Sequence, residues 1–115
     1  MVGNSMGDAI VQRFALNHSE YLKAIVLVCT GAKLRVTPII FEAIERNRAR
    51  AVELIAEIAF SNKTAGKIRA KLTKEMRNIS PDVIYGDFEA CDKFDVMNKL
   101  KEIRVPTLII CGQED

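Results

Sequence analysis

Residues 2–7 read Val2-Gly3-Asn4-Ser5-Met6-Gly7, and the run that follows, Asp8-Ala9-Ile10-Val11-Gln12-Arg13-Phe14-Ala15-Leu16, has helical spacing. A Gly-x-Ser-x-Gly match alone arises by chance in about one chain of thirty at this length. Its place between an apolar residue and a helical pattern carries the information. The stretch predicts a strand that turns sharply into a helix with Ser5 at the tip. So tight a turn leaves no room for side chains two positions either side, and Gly3 and Gly7 remove the Cβ atoms that would collide. The turn would hold the Ser5 hydroxyl clear of the sheet, at a helix N-terminus whose peptide dipoles favour negative charge. The plainer alternative is a glycine-rich turn in which Ser5 caps the helix.

Composition bounds what surrounds this turn. The chain has 115 residues, 49% hydrophobic and 28% charged, with net charge +2. Those values describe one globular unit. The charge is too small to imply nucleic acid. The apolar stretches are too short for a membrane span. No signal peptide is visible, although Met1 is not expected to be the natural start. The three cysteines, Cys29, Cys91 and Cys111, make no disulfide framework. Cys29 and Cys111 stand in apolar runs as small hydrophobes, which favours a reducing, cytoplasmic compartment. With one histidine and no Cys-x-x-Cys, no zinc site is expected.

Outward from the turn, residues from about Gly7 to Asn17 read as a helix, with Ala9, Ile10 and Phe14 on one face. Leu22 to Cys29 is a continuous apolar run rich in β-branched residues, suited to a strand covered on both faces. Thr37-Pro38 opens a helix to about Glu45. The polar run Glu45-Arg46-Asn47-Arg48-Ala49-Arg50 bends or interrupts it, and Ala51 to Phe60 resumes. Ser61-Asn62 opens another helix, with Ala65, Ile68, Leu72 and Met76 on one face and Lys63, Lys67, Lys71 and Lys74 on another. That lysine row reads as a solvated face, since no aromatic residues are interleaved to stack bases. Ser80-Pro81-Asp82 starts a third helix that fades near Cys91-Asp92. A short helical turn at Val96–Leu100 leads to a second buried-strand pattern, Val105 to Cys111, with Pro106 at its entrance. Strands alternating with helices imply an α/β sheet.

This order resembles the α/β-hydrolase superfamily, in its esterase, haloperoxidase-like and C–C-bond-hydrolase branch with a helical cap. The likeness is carried by Gly3-Asn4-Ser5-Met6-Gly7, by Phe14 to Val28 after it, and by Ile103-Arg104-Val105-Pro106-Thr107-Leu108-Ile109-Ile110-Cys111-Gly112-Gln113-Glu114-Asp115. The fold it implies is a partial α/β-hydrolase: parallel strands with flanking helices and a helical cap insertion. Residues 1–34 would form elbow, helix and strand, 35–95 the cap, and 96–115 the strand leading to the acid. The resemblance makes Ser5 the nucleophile, Asp115 the triad acid with Glu114 the lesser alternative, and Met6 a backbone N–H donor to the oxyanion hole. In this family the order is Ser, then acid, then His. The catalytic His and the second oxyanion donor would then lie outside these residues. His18 does not fit the missing role, because it stands at the far end of the first helix and reads as a surface histidine.

Asp8 departs from the family, which often has a small residue there. As a carboxylate in the first helical turn it would favour the helix dipole and point sideways into solvent, or else its charge would weaken oxyanion binding. The apolar residues Ile39, Ile40, Phe41, Ile55 and Phe60 would line a substrate pocket or pack the cap. The implied activity is hydrolysis of a small acyl or ester substrate through a Ser-bound acyl intermediate, with no cofactor and no metal. The alternative is a non-catalytic hydrolase-fold binding module or truncated product. Taken alone, the chain is expected to be inactive and prone to self-association.

Overall fold

Three short strands, each four residues or fewer, carry the site, and each has a distinct reason to stop where it does. In the computed structural model, which describes residues 1–113, β1 is Val2–Asn4, β2 is Ile25–Val28 and β3 is Thr107–Ile110. They pair in the order β1-β2-β3, all parallel, with Val2 opposite Val26 and Ile25 opposite Thr107. β1 stops because Ser5 reverses the chain. β2 stops at Cys29, which has a φ of 55°. β3 begins after Pro106, whose ring supplies no N–H to a ladder. A parallel pair needs a crossover. Helix α1, Met6–Asn17, supplies it between β1 and β2, and four helices lie between β2 and β3: α2 Pro38–Arg46, α3 Arg48–Ala59, α4 Gly66–Met76 and α5 Pro81–Lys93.

The chain divides into two compact units. The first holds residues 1–35 with the chain from Ala90 onward, and the second is Val36–Glu89. In the first, Val11 and Ala15 of α1 pack on Ile25 and Leu27 of β2, with Leu22, Ile103 and Val105 around them. A second patch joins Ala9 to Phe94 and Val96, with Leu16, Ala32 and Leu34 alongside. There the departing and returning chain is clipped together. Val96 N–H donates to Ala32 O at 2.8 Å, Leu34 N–H donates to Phe94 O at 3.2 Å, and Lys33 Nζ lies 2.6 Å from an Asp95 carboxylate oxygen. The Lys33 ammonium holds the Asp95 carboxyl below its ordinary pKa.

The second unit is helical. Its core is Ile40, Ile44, Ala51, Ile55 and Ile84, with Leu54, Met76 and Phe88 against it. Phe41 meets Tyr85 edge-on at 5.1 Å. Asn47 breaks α2 from α3, and its Oδ1 accepts from Arg50 N–H at 3.1 Å, so the polar run does interrupt the helix by a side-chain cap. Ile40 and Ile55 are core residues, whereas Ile39 is 57% exposed.

Four expectations are corrected. Helix α4 starts at Gly66, not at Ser61, because Ser61 Oγ accepts from Lys63 N–H two residues on and closes a turn instead of capping a helix. The buried face of α1 is Asp8, Ala9, Val11, Gln12 and Ala15, while Ile10 is 59% exposed. The apolar run at 22–29 is strand only over Ile25–Val28, because a 3₁₀ turn at Ser19–Tyr21 delivers the chain to it. All four residues of β3 are exposed within the described residues, despite a composition suited to burial on both faces.

The helical core yields a sharp contrast between neighbours. Ile40→Ala should lower unfolding stability by about 2–5 kcal/mol, the cost of a cavity in a packed core. Ile39→Ala should stay within roughly 0.5 kcal/mol, as exposed changes do. Urea denaturation of the two variants checks this.

Candidate functional site

The site begins where β1 ends. Ser5 has φ 52° and ψ −119°, a conformation that L residues with a side chain rarely adopt. Two backbone hydrogen bonds hold it there, and a side chain braces one of them. Ser5 N–H donates to Val28 O at 3.2 Å, Asn4 Nδ2 donates to the same oxygen at 3.3 Å, and Asp8 N–H donates to Ser5 O at 3.0 Å. The end of β2 and the first turn of α1 thus grip the residue from both sides. Ser5 itself is exposed, and its hydroxyl makes no capping hydrogen bond to the helix. The simple N-cap alternative is therefore overturned. Met6 is the first residue of α1, so its N–H is one of those a helix leaves without an intrahelical partner. An exposed hydroxyl and such an N–H at one helix N-terminus can together present a nucleophile and an anion donor.

The two glycines are not equivalent. A Cβ on Gly3 would lie 2.5 Å from Asp8 Oδ1 and 2.6 Å from both Asp8 N and Gly7 C, closer than real contacts allow. Two of those atoms are backbone and cannot swing away, so α1 can sit this close to β1 only over a glycine. A Cβ on Gly7 would meet nothing within 4 Å, and its φ is not positive. The steric reason given for Gly7 is thus corrected among the described residues.

Asp8 is also corrected. It does not point into solvent: it is fully buried, and neither carboxylate oxygen has a hydrogen-bond partner. Burial pushes its pKa up from the ordinary carboxylate value, and the nearby Val28 backbone N–H offsets part of that rise. One turn on, Gln12 is buried too, and its Nε2 donates to Gly31 O at 3.1 Å. Sequence reasoning missed this polar stripe of Asp8 and Gln12. The available signal was their i, i+4 spacing beside Val11 and Ala15.

His18 caps the other end of α1, where its N–H donates to Phe14 O at 2.7 Å. Its ring lies 5.0 Å from that of Phe14 and 6.4 Å from that of Tyr21. Twelve residues of helix separate it from Ser5, a rise of about 18 Å. Glu114 and Asp115 lie outside the described residues. β3 leads towards them beside β2, since Cys29 N–H donates to Ile110 O at 2.8 Å. The C-terminal ends of all three strands thus fall on one edge of the sheet. Lys63, Lys67, Lys71 and Lys74 are all exposed. Among the described residues no cluster of three or more His, Cys, Asp or Glu could hold a metal ion, and no helix is long and apolar enough to cross a membrane.

Neither a protein-family model nor a curated protein sequence matches the chain. Solved structures do. A thermophilic esterase is 38% identical, with a TM-score of 0.87 over 99% of this chain and 46% of that one. An esterase from Exiguobacterium antarcticum is 20% identical, with a TM-score of 0.87 over 99% of this chain and 48% of its own. The second likeness shows the fold alone. The chain thus has the partial α/β fold of these esterases and spans about half the length of each.

The asymmetry of the glycines can be measured. Gly3→Ala should cost roughly 1–3 kcal/mol or more, as overpacking does. Gly7→Ala, inside the first helical turn, should be neutral or stabilising by up to about 1 kcal/mol. Thermal melts of both variants against the parent decide it.

Proposed function

We propose that this chain is the segment of a serine hydrolase that carries its nucleophile and its acid, acting on a small ester or similar acyl substrate. The observation that carries this reading is the strained, exposed Ser5 at the head of α1. Such strain persists only where surrounding structure imposes it, and it gathers at working sites. The thermophilic esterase, 38% identical, supports the substrate class.

In this reading a histidine supplied from outside these residues removes the Ser5 hydroxyl proton as Oγ attacks the ester carbonyl carbon. The tetrahedral oxyanion is received by the Met6 N–H and by a second donor, also outside these residues. The alcohol leaves with the proton from the histidine. Water then attacks the acyl-Ser5, and the acid departs. Asp115 orients the histidine and stabilises its charged form. The turn formed by Gly3 to Gly7 is the nucleophile elbow, and residues 35–95 form the helical cap. The chemistry needs no cofactor.

A second reading is a hydrolase fold kept for binding.

Turnover of a short-chain nitrophenyl ester separates the two. The protein encoded by the full open reading frame around this chain should hydrolyse it. Ser5→Ala and Asp115→Asn should each lower kcat by roughly 10³-fold or more. The 115-residue chain by itself should show no Ser5-dependent turnover. Ester hydrolysis that survives Ser5→Ala would favour the binding module.

A further inference from the structure

Asp8 is the feature of this site that an esterase mechanism does not use. Its carboxyl is fully buried, both oxygens lack a hydrogen-bond partner, and it lies against Gly3, within the turn that fixes Ser5. Its own N–H bonds Ser5 O at 3.0 Å, so side chain and backbone of one residue hold both ends of that turn. A buried unpaired charge is far costlier than a buried neutral acid.

Among the described residues around it, only the nearby Val28 N–H favours its charged form, and no cationic side chain is paired with it. β1 and β2 carry no titratable side chain, and α1 carries only Arg13 besides Asp8. Arg13 lies over the Phe94 ring at 5.9 Å. On the segments that pack on Ala9, Lys33 and Asp95 pair with each other. The Cys29 thiol follows β2.

We propose that Asp8 is a positioning residue for Ser5, acting through its proton. This rests on the serine-hydrolase reading. Un-ionised, the carboxyl fills the space over Gly3 and leaves the N-terminus of α1 free to receive an oxyanion. Ionised, it sets a negative charge in a low-dielectric site at the same helix end, cancels the dipole there and strains the turn. Charges at a helix terminus act on this scale, so ionisation should slow Ser5 acylation roughly three- to thirty-fold.

The test compares wild type, Asp8→Asn and Asp8→Ala in the intact protein that carries this chain, from pH 4 to pH 9. One arm is the rate of covalent labelling of Ser5 by a fluorophosphonate, read by mass spectrometry. Taking the ratio of variant to wild type cancels the titration of the general base. The ratio should lie nearest one at the acid end of the range and rise with pH in both variants. A ratio flat with pH overturns the proposal, as does a rise in Asp8→Ala alone, which would mark a packing effect. The second arm is the melting temperature. A carboxyl whose pKa is raised by folding stabilises the fold below its unfolded pKa, and that stability is lost as pH rises through the folded pKa. The gap by which Asp8→Asn exceeds wild type should therefore widen as pH rises through the folded pKa and level off above it, and a gap constant over the whole range overturns the proposal. If Ser5 is labelled in no variant, the serine-hydrolase reading falls, and the melts alone judge Asp8.

Discussion

The contact that everything else in the sheet unit depends on is the approach of α1 to β1 over Gly3. A methyl group there would sit 2.6 Å from two backbone atoms. Only a bare Cα lets the helix start so close behind the strand, and only a positive φ at Ser5 makes the reversal between them. A residue in such a conformation costs about 1–3 kcal/mol. The cost is borne by neighbours that are themselves fixed. Val28 O takes two donors from Asn4 and Ser5, and Val28 is in turn locked opposite Ile110. The ladder thus imposes the turn, and the turn exposes the hydroxyl.

The same logic explains how a long helical excursion leaves the sheet intact. β2 and β3 are consecutive neighbours in space although four helices separate them in sequence. Closing a long loop costs only about 0.6 kcal/mol more per doubling of its length. The bridge between Lys33 and Asp95 ties the excursion at its neck. The helical unit keeps its own core around Ile40 and Ile84.

Much of this was legible in the sequence. The Gly3-to-Gly7 spacing gave the turn, β-branched runs gave β2 and β3, and Pro38 and Pro81 marked the starts of α2 and α5. What sequence could not give was direction. Asp8 reads as a helix-start carboxylate, and nothing local says that it faces Gly3 rather than solvent. Ile10 reads as core because it is apolar, yet Val11 and Gln12 take the inward positions. Ser61 reads as a cap, but its hydroxyl is satisfied two residues later by Lys63. Each miss is a tertiary choice among local options of similar energy. The roles of Ser5, Met6 and Asp115 came from resemblance rather than from pattern. The geometry adds the strain at Ser5, which no periodicity encodes.

The central claim is that the fold holds Ser5 in a strained backbone conformation so that its hydroxyl stands exposed at the helix head. Equilibrium unfolding of Ser5→Gly tests it most directly. Glycine adopts φ 52° without a Cβ penalty, so the variant should be more stable than the parent by about 1–3 kcal/mol, despite losing a side chain. A variant of equal or lower stability would mean that the turn is relaxed, and that the exposed hydroxyl is not something the fold is strained to present.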